Sequence, residues 1–160
     1  MNKDLHILCA HLDDFEISCN GYIFKHHKQY ENIYIHVATN NDHKEPITIE
    51  NLQLLNDVLT KGTTIHYKQH NFHSTRLRSE MDDLKDSIYT SINFKRNFDI
   101  LSHDSNDLHT DHQVCYEIMM GLLKLHWNIG MAYVMENCAK YKSEYYDIYK
   151  IKKWTTNGDS

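Results

Sequence analysis

The chain has few of the features that mark nucleic-acid-binding or membrane-spanning proteins. Its formal net charge is −5, with 17 Lys and Arg against 22 Asp and Glu. An acidic chain whose lysines are scattered carries no basic patch for a phosphate backbone, so we expect no nucleic-acid partner. No apolar run approaches the ~20 residues that a membrane helix needs, so we also expect no membrane span.

The sequence also lacks the patterns that are typical of a disulfide scaffold, a secretion signal or internal repeats. The four cysteines form neither a CxxC pair nor a disulfide-framework spacing, so we predict that they are reduced and structural. The opening MNKDLHILCAH lacks the apolar core and cleavage site of a signal peptide, and we expect a cytoplasmic protein. A length of 160 residues with 41% hydrophobic content predicts one domain spanning 1–160.

Short apolar runs alternate with segments of helical periodicity along most of the chain. The runs predict five strands, at 5–10, 32–39, 63–68, 98–101 and 131–135. The periodic segments predict helices at 16–30, 48–59, 81–94 and 113–125. Because parallel neighbours need long crossover connections, this alternation predicts a three-layer α/β/α domain with a mostly parallel sheet of about five strands.

Two clusters of histidines and acids each follow a predicted strand. AHLDDFE at 10–16 follows the first strand, and DLHTDH at 107–112 follows the fourth. Ligands of open α/β sheets bind beyond the carboxyl ends of the strands, so we expect the two loops to meet. The chain contains 13 histidines, and histidine is the commonest metal ligand.

These residue types match the chemistry of a hydrolytic metal site. Such a zinc site takes three nitrogen or oxygen ligands and leaves a fourth position for water, and His11, Asp14 and His112 can supply the set. We therefore predict one zinc ion per chain, with iron or cobalt as alternatives. Adjacent side chains diverge, so Asp13 can face the water as general base. His109 can stabilise an oxyanion or protonate the leaving amine.

Each cluster taken alone also has a purely structural interpretation. Asp13 and Asp14 are favourable at the start of a helix, and Asn106 or Asp107 can cap the helix after the second cluster. Helix capping and metal binding are about equally well supported for each cluster by itself. Their joint position at strand carboxyl ends favours the metal site.

Both clusters resemble motifs of the LmbE-like or PIG-L deacetylase family. ILCAHLDDFEISCNGYI resembles the family's opening strand and AHPDD motif, and SNDLHTDHQV resembles its HPDH motif. Members are zinc-dependent de-N-acetylases of N-acetylglucosamine conjugates, with a Rossmann-like fold. The resemblance implies His11, Asp14 and His112 as metal ligands, Asp13 as general base and His109 as the oxyanion-stabilising group.

The resemblance has two weaker implications and two departures. It implies that Asp111 holds His109, and the similarity of HSTRLRSEMDDLKDSI to a family segment implies that Arg76 contacts the substrate. Both motif prolines are replaced here, by Leu12 and Thr110. Because proline fixes φ, we expect looser ligand loops but no loss of a ligand atom.

The expected function is that of a metal-dependent deacetylase that hydrolyses the N-acetyl group of an N-acetylglucosamine-type conjugate, a small-molecule substrate. Two alternatives stay open: a degenerate relative that serves as a binding or regulatory module, and a metal hydrolase of another substrate class such as phosphoesters. Asp13 favours an enzyme, because a binding site has no use for a base beside the water. The tyrosine-rich tail YKSEYYDIYKIKKW can form an interface in a homo-oligomer or cover the sheet edge.

Overall fold

A six-stranded sheet organises the described part of the computed structural model, which comprises residues 3–40, 62–126, 128–137 and 149–154, with backbone only at 16–18, 136–137 and 149–154. The strands are β1 (Asp4–Cys9), β2 (Asn32–Thr39), β3 (Thr64–Phe72), β4 (Phe98–His103), β5 (Ile129–Asn137) and β6 (Tyr149–Trp154). Their spatial order is β3-β2-β1-β4-β5-β6. The first five are parallel, and β6 is antiparallel to β5.

Helices cover both faces of this sheet. The described helices are α1 (Leu12–Ser18), α2 (Asn20–His26), a 3-10 turn (His27–Gln29), α3 (Met81–Thr90) and α4 (Thr110–Leu125). Phe15 and Ile23 of α1 and α2 pack in one core with Ile7 of β1. Leu84 of α3 and Ile118 of α4 pack in the core on the opposite face. The result is the three-layer α/β/α arrangement that the alternating pattern predicts.

The strand order confirms the predicted fold class. The bounds and the number of the helices and strands differ from the prediction. All five predicted strands are present, but the predicted helix at 16–30 is two helices, the first beginning at Leu12. Strand β6 was not predicted, and it places part of the tyrosine-rich tail along the edge of β5. The predicted helix at 48–59 lies outside the described residues. Within the described residues, no helix is long and apolar enough to cross a membrane.

The point where the chain reverses direction across the sheet lies between β1 and β4. From β1 the chain proceeds outward to β2 and β3, and it then returns to place β4 on the other side of β1. Crevices of this kind, outside the carboxyl ends of the strands, are where open α/β sheets bind ligands. The loops after β1 and β4 therefore lie side by side.

Three hydrogen-bonded histidines form a polar stripe across β1, β2 and β3 beneath α3. His6 Nδ1 lies 2.9 Å from His36 Nε2, His36 Nδ1 lies 3.0 Å from His70 Nε2, and His70 Nδ1 lies 2.6 Å from Ser87 Oγ. Burial lowers the pKa of His6 and of His70 to about 4 each, and that of His36 well below its usual 6.5. The folded chain therefore holds these rings neutral.

We predict that this stripe makes the fold acid-sensitive. The unfolded chain takes up protons on these histidines as the pH falls through 6.5, whereas the folded chain does not until about pH 4. The free energy of unfolding should therefore decrease over that window, and replacing His70 by the non-titrating Gln should reduce the loss by up to about 3 kcal/mol. Urea unfolding at pH 7.5 and 4.5 measures the difference. Equal losses in parent and His70→Gln would contradict the prediction.

Candidate metal centre

One carboxylate oxygen lies at the centre of the predicted site. Asp14 is buried in the first turn of α1, and its Oδ2 accepts the backbone N–H of His11, the N-cap residue, at 2.9 Å. The same oxygen lies 3.1 Å from His112 Nε2, 3.3 Å from His11 Nδ1 and 3.6 Å from His103 Nε2. The helix-start and metal-site interpretations of this motif are therefore compatible, because the oxygen that fixes the helix start also faces the histidines.

The loop after β4 brings His112 to this oxygen. His112 is buried in the first turn of α4, and its Nδ1 lies 2.8 Å from Asp107 Oδ2. A carboxylate accepts hydrogen bonds, so the Nδ1 position carries the proton. The other ring nitrogen, Nε2, faces Asp14. His109, not Asn106 or Asp107, is the N-cap residue of α4.

Both ring nitrogens of His11 face a carboxylate. Its Nδ1 faces Asp14, and its Nε2 lies 3.0 Å from Asp111 Oδ2. One ligand atom each from His11, Asp14 and His112 falls within 4.8 Å of the other two. Two imidazole nitrogens and one carboxylate oxygen are a donor set of mononuclear hydrolytic zinc centres, so the residues fit the predicted ion.

Two other groups among the described residues also bring three ligand atoms within 4.8 Å of one another. In the group of His11, His109 and Asp111, the Asp111 carboxylate already accepts the backbone N–H groups of Thr75 at 2.6 Å and Leu77 at 3.3 Å. The third group consists of His103, Asp107 and His112. The Asp14-centred group is the one in which a histidine nitrogen from each loop faces a shared carboxylate.

Charge in the centre is set by the carboxylates. Burial by itself lowers the pKa of His11 and of His112, but hydrogen bonds to Asp111 and Asp14, and to Asp107 and Asp14, raise each to about 9. Burial by itself raises the pKa of Asp14, but its contacts with His11 and His112 hold it well below its usual range. Without a metal ion, the centre is a buried cluster of imidazolium and carboxylate groups.

His103 also belongs to this cluster, although it was not predicted from the sequence. It is fully buried at the end of β4, its Nε2 accepts the backbone N–H of Ala10 at 3.1 Å, and its ring stacks on His112 with centroids 3.8 Å apart. Burial and the neighbouring His112 lower its pKa to about 3. His103 Nδ1 has no hydrogen-bond partner among the described residues. Its position just after the predicted fourth strand, beside Asp104, was the available signal.

Of the predicted catalytic groups, His109 lies beside the ligand histidines, and Asp13 lies in the same helical turn as Asp14. Asp13 is half-buried and follows the N1 residue of α1. The His109 ring lies 4.6 Å from that of His112 and 4.8 Å from that of His11, centroid to centroid. His109 Nδ1 accepts the backbone N–H of Asp111 at 3.1 Å, so the neutral ring carries its proton on Nε2. Burial and the two neighbouring histidines lower the pKa of His109, which favours this neutral form.

Asp111 and Arg76 are connected through one turn. The implied link between Asp111 and His109 runs through the Asp111 backbone N–H, whereas the Asp111 carboxylate contacts His11. That carboxylate also binds the N–H groups on either side of Arg76, those of Thr75 and Leu77. Arg76 itself is exposed. Thr75 has φ 67°, a rare conformation for a β-branched residue, so the turn is strained where it meets Asp111.

Hydrogen bonds hold both helix starts at which the motif prolines are replaced. Leu12 and Thr110 are the first residues of α1 and α4, the position where proline is favoured. At α1 the Asp14 carboxylate binds the His11 N–H, and at α4 the His109 ring binds the Asp111 N–H. These local bonds fix the first turns without the φ restriction of proline.

The fold and site define an α/β protein of Rossmann-like architecture with a His-Asp-His group at the point where the strand order reverses. The chain belongs to the PIG-L family: the family's sequence profile, described as GlcNAc-PI de-N-acetylase, matches residues 6–123. The matched region contains both histidine motifs. No curated protein sequence matches the chain.

Solved structures with low sequence identity share the fold. The deacetylase of teicoplanin biosynthesis, in complex with teicoplanin, is 11% identical with a TM-score of 0.63, over 88% of this chain and 73% of that one. The N,N'-diacetylchitobiose deacetylase from Pyrococcus horikoshii is 13% identical with a TM-score of 0.54, over 82% and 60%. A conserved protein from Thermus thermophilus is 16% identical with a TM-score of 0.54, over 77% and 56%. The chain thus spans less than two thirds of two of these three.

We predict that binding of a divalent metal ion displaces protons from the centre. The pKa of about 9 for His11 and for His112 means that both rings are protonated at pH 7 without metal, and a ligand nitrogen must be deprotonated. Zinc binding should therefore release about two protons, and the affinity should rise up to about a hundredfold per pH unit below pH 9. Calorimetry in buffers of different ionisation enthalpy counts the protons. Zinc binding with no proton release would contradict the prediction.

Proposed function

We propose that this protein is a metal-dependent amidohydrolase that removes the acetyl group from an N-acetylglucosamine-type conjugate, with acetate and a free amine as products. The observation that carries the proposal is that ligand atoms of His11, Asp14 and His112 lie within 4.8 Å of one another, in a chain of the PIG-L family. The ring of His109 lies beside those of the two histidines. Proteins with a similar fold include a deacetylase named for N,N'-diacetylchitobiose and one of teicoplanin biosynthesis, which supports the reaction and the substrate class.

One divalent ion per chain, zinc in our proposal, belongs to this function, and His11 Nδ1, Asp14 and His112 Nε2 would hold it. When bound, such an ion polarises the amide carbonyl and lowers the pKa of water to about 7. The donor set of two imidazoles and one carboxylate supports zinc, although iron and cobalt accept similar ligands. A site with three protein ligands leaves room for water and substrate.

Asp13 is the proposed general base. It lies next to Asp14 in the first turn of α1, so its carboxylate projects from the same turn in a different direction. In the reaction it accepts the proton of the attacking water while the new C–O bond forms at the acetyl carbonyl. The proton passes to the amine nitrogen as the C–N bond breaks, which balances acetate and amine as products.

His109 is the proposed donor to the developing oxyanion. Its Nδ1 is occupied by the Asp111 N–H, so its Nε2–H is the group that can donate to substrate. A lowered pKa keeps the ring neutral, and a neutral N–H donor stabilises an oxyanion without holding a charge in the ground state. In this scheme Asp111 supports catalysis through its backbone contact with His109 and through His11.

Arg76 is the proposed substrate-binding residue at the rim. The bonds from Thr75 and Leu77 to Asp111 tie the backbone on both sides of Arg76 to the centre, and the Arg76 side chain is exposed. A guanidinium in this position can bind hydroxyl or anionic groups of a sugar conjugate. We further propose that residues 1–160 act as one domain; a cytoplasmic location and homo-oligomerisation remain expectations from the sequence.

We predict that Asp13 and His112 separate metal binding from turnover. Asp13→Ala should retain one metal ion per chain and lose most deacetylation, roughly 10²-fold or more, because the ion remains but the base does not. His112→Ala should lose the ion as well. Elemental analysis and acetate release from N-acetylglucosamine conjugates measure the two properties. Equal turnover in parent and Asp13→Ala would exclude the mechanism, and no metal in the zinc-treated parent would favour a binding module.

A matched pair of arginines tests the substrate contact. Arg76→Ala should raise KM about tenfold with a smaller change in kcat, because a rim contact binds ground and transition states alike. Arg78→Ala is the control, since Arg78 is also exposed in this segment but pairs with Glu117 of α4. Steady-state kinetics of both variants decide the matter. Equal KM values for Arg76→Ala and Arg78→Ala would assign no substrate contact to Arg76.

A further inference from the structure

Both proposed ligand histidines have a carboxylate on the ring nitrogen that faces away from Asp14. His112 Nδ1 lies 2.8 Å from Asp107 Oδ2, and His11 Nε2 lies 3.0 Å from Asp111 Oδ2. A carboxylate in that position fixes which nitrogen carries the proton, orients the ring and increases the basicity of the other nitrogen. The role of Asp107 is absent from the family resemblance and from the predicted catalytic set.

Asp107 is itself held in place from three sides. It is 4% exposed, and its Oδ1 accepts the backbone N–H of His109 at 3.0 Å. Its backbone carbonyl accepts Gln113 Nε2 at 2.8 Å, and its backbone N–H donates to the Asp104 carbonyl at 3.1 Å. With one carboxylate oxygen bound to the main chain, the other has a fixed direction, and that direction is toward His112.

The fixed direction matters because His112 lies between two alternative groups of ligand atoms. Besides the Asp14-centred group, His103, Asp107 and His112 also bring three ligand atoms within 4.8 Å of one another. His103 is buried there, and its Nδ1 has no hydrogen-bond partner within the described part of the chain. If Asp107 accepts a hydrogen bond from His112 Nδ1–H, that nitrogen keeps its proton, one Asp107 oxygen is occupied, and only Nε2 of His112 has a free lone pair.

We propose that Asp107 is a positioning residue that holds His112 in the tautomer whose Nε2 faces Asp14, and so directs a metal ion to the Asp14-centred group. Asp111 acts in the same way on His11, leaving His11 Nδ1 free. The inference rests on the metal centre of the proposed function. The two carboxylates explain why a different ring nitrogen of each histidine faces the metal ion: Nε2 of His112 and Nδ1 of His11.

The chain offers a matched control in the same turn. Asp104 is buried to a similar degree, but its carboxylate binds Ser105 Oγ and the backbone N–H of Asn106, within its own turn. Asp104→Ala therefore removes a buried acid near the centre without touching His112. Asp107→Asn provides the conservative variant, because its amide oxygen can still accept a hydrogen bond from His112 Nδ1–H.

The first measurement is zinc affinity by competition with a chromophoric chelator, on the full chain at fixed pH. Asp107→Ala should bind zinc about 10- to 100-fold more weakly than the parent, as expected for loss of the carboxylate behind a ligand histidine. Asp107→Asn should recover part of the loss, and Asp104→Ala should bind like the parent. Thermal unfolding without metal shows whether each variant is folded, and the Asn variant keeps the test decisive if Asp107→Ala is not.

The second measurement is the protonation pattern of the zinc-loaded protein by long-range ¹H–¹⁵N correlation of the imidazole rings. The proposal requires His112 to carry its proton on Nδ1 and His11 to carry its proton on Nε2. The reverse pattern at His112, or parent-like affinity in Asp107→Ala, would overturn it while leaving the metal centre intact. A parent chain that binds no zinc would overturn the metal centre itself and this assignment with it.

Discussion

The Asp14 carboxylate is the constraint on which the rest of the site depends. Its Oδ2 closes the first turn of α1 through the His11 N–H and faces imidazole nitrogens of His11, His103 and His112. A buried carboxylate is costly unless donors or cations surround it, because burial favours its neutral form. The structure meets that cost with residues from two loops that the sheet order places side by side. A divalent ion can take the place of the two imidazolium protons with little change in the charge that Asp14 requires.

Hydrogen bonds to two carboxylates link the loops around the site. The turn at 73–80, which enters from β3, donates two backbone N–H groups to Asp111, which contacts His11, while Asp107 contacts His112. Each histidine is thus oriented by a carboxylate that the main chain holds. The loss of the two motif prolines is consistent with this design, because hydrogen bonds to side chains define both helix starts. Thr75, whose φ is strained, lies in the turn at 73–80, where that turn binds the Asp111 carboxylate.

Local pattern was sufficient to predict the fold and the residues at strand ends. The β-branched and aromatic runs identified all five parallel strands, and strand order by itself brings 10–16 and 107–112 together. The sixth strand escaped prediction, because YKIKKW has lysines where a buried strand has apolar residues, and it pairs at the edge of β5, where lysine is common. The first helix begins earlier than predicted, because the Asp14 carboxylate accepts the His11 N–H and closes a first turn that starts at Leu12.

The parts of the site that sequence could not supply depend on contacts across the chain. His103 is a member because its ring accepts the N–H of Ala10, 93 residues away, and Asp111 meets His11 across 100 residues. No spacing rule encodes such pairs. Asp107 was visible in the sequence, but only as a helix cap, and its contact with His112 follows from how the turn at 104–109 folds. An aspartate that caps a helix and one that orients a histidine differ in where the carboxylate points, and the sequence does not show that direction.

The most direct test of the account is a crystal structure of the zinc-soaked full chain, with anomalous diffraction data collected on both sides of the zinc absorption edge. The account predicts one anomalous peak per chain, bounded by His11 Nδ1, Asp14 and His112 Nε2, with Asp107 and Asp111 on the far nitrogens of the two rings. A peak bounded by His11 Nε2, His109 and Asp111, or no peak in the cluster, would contradict it.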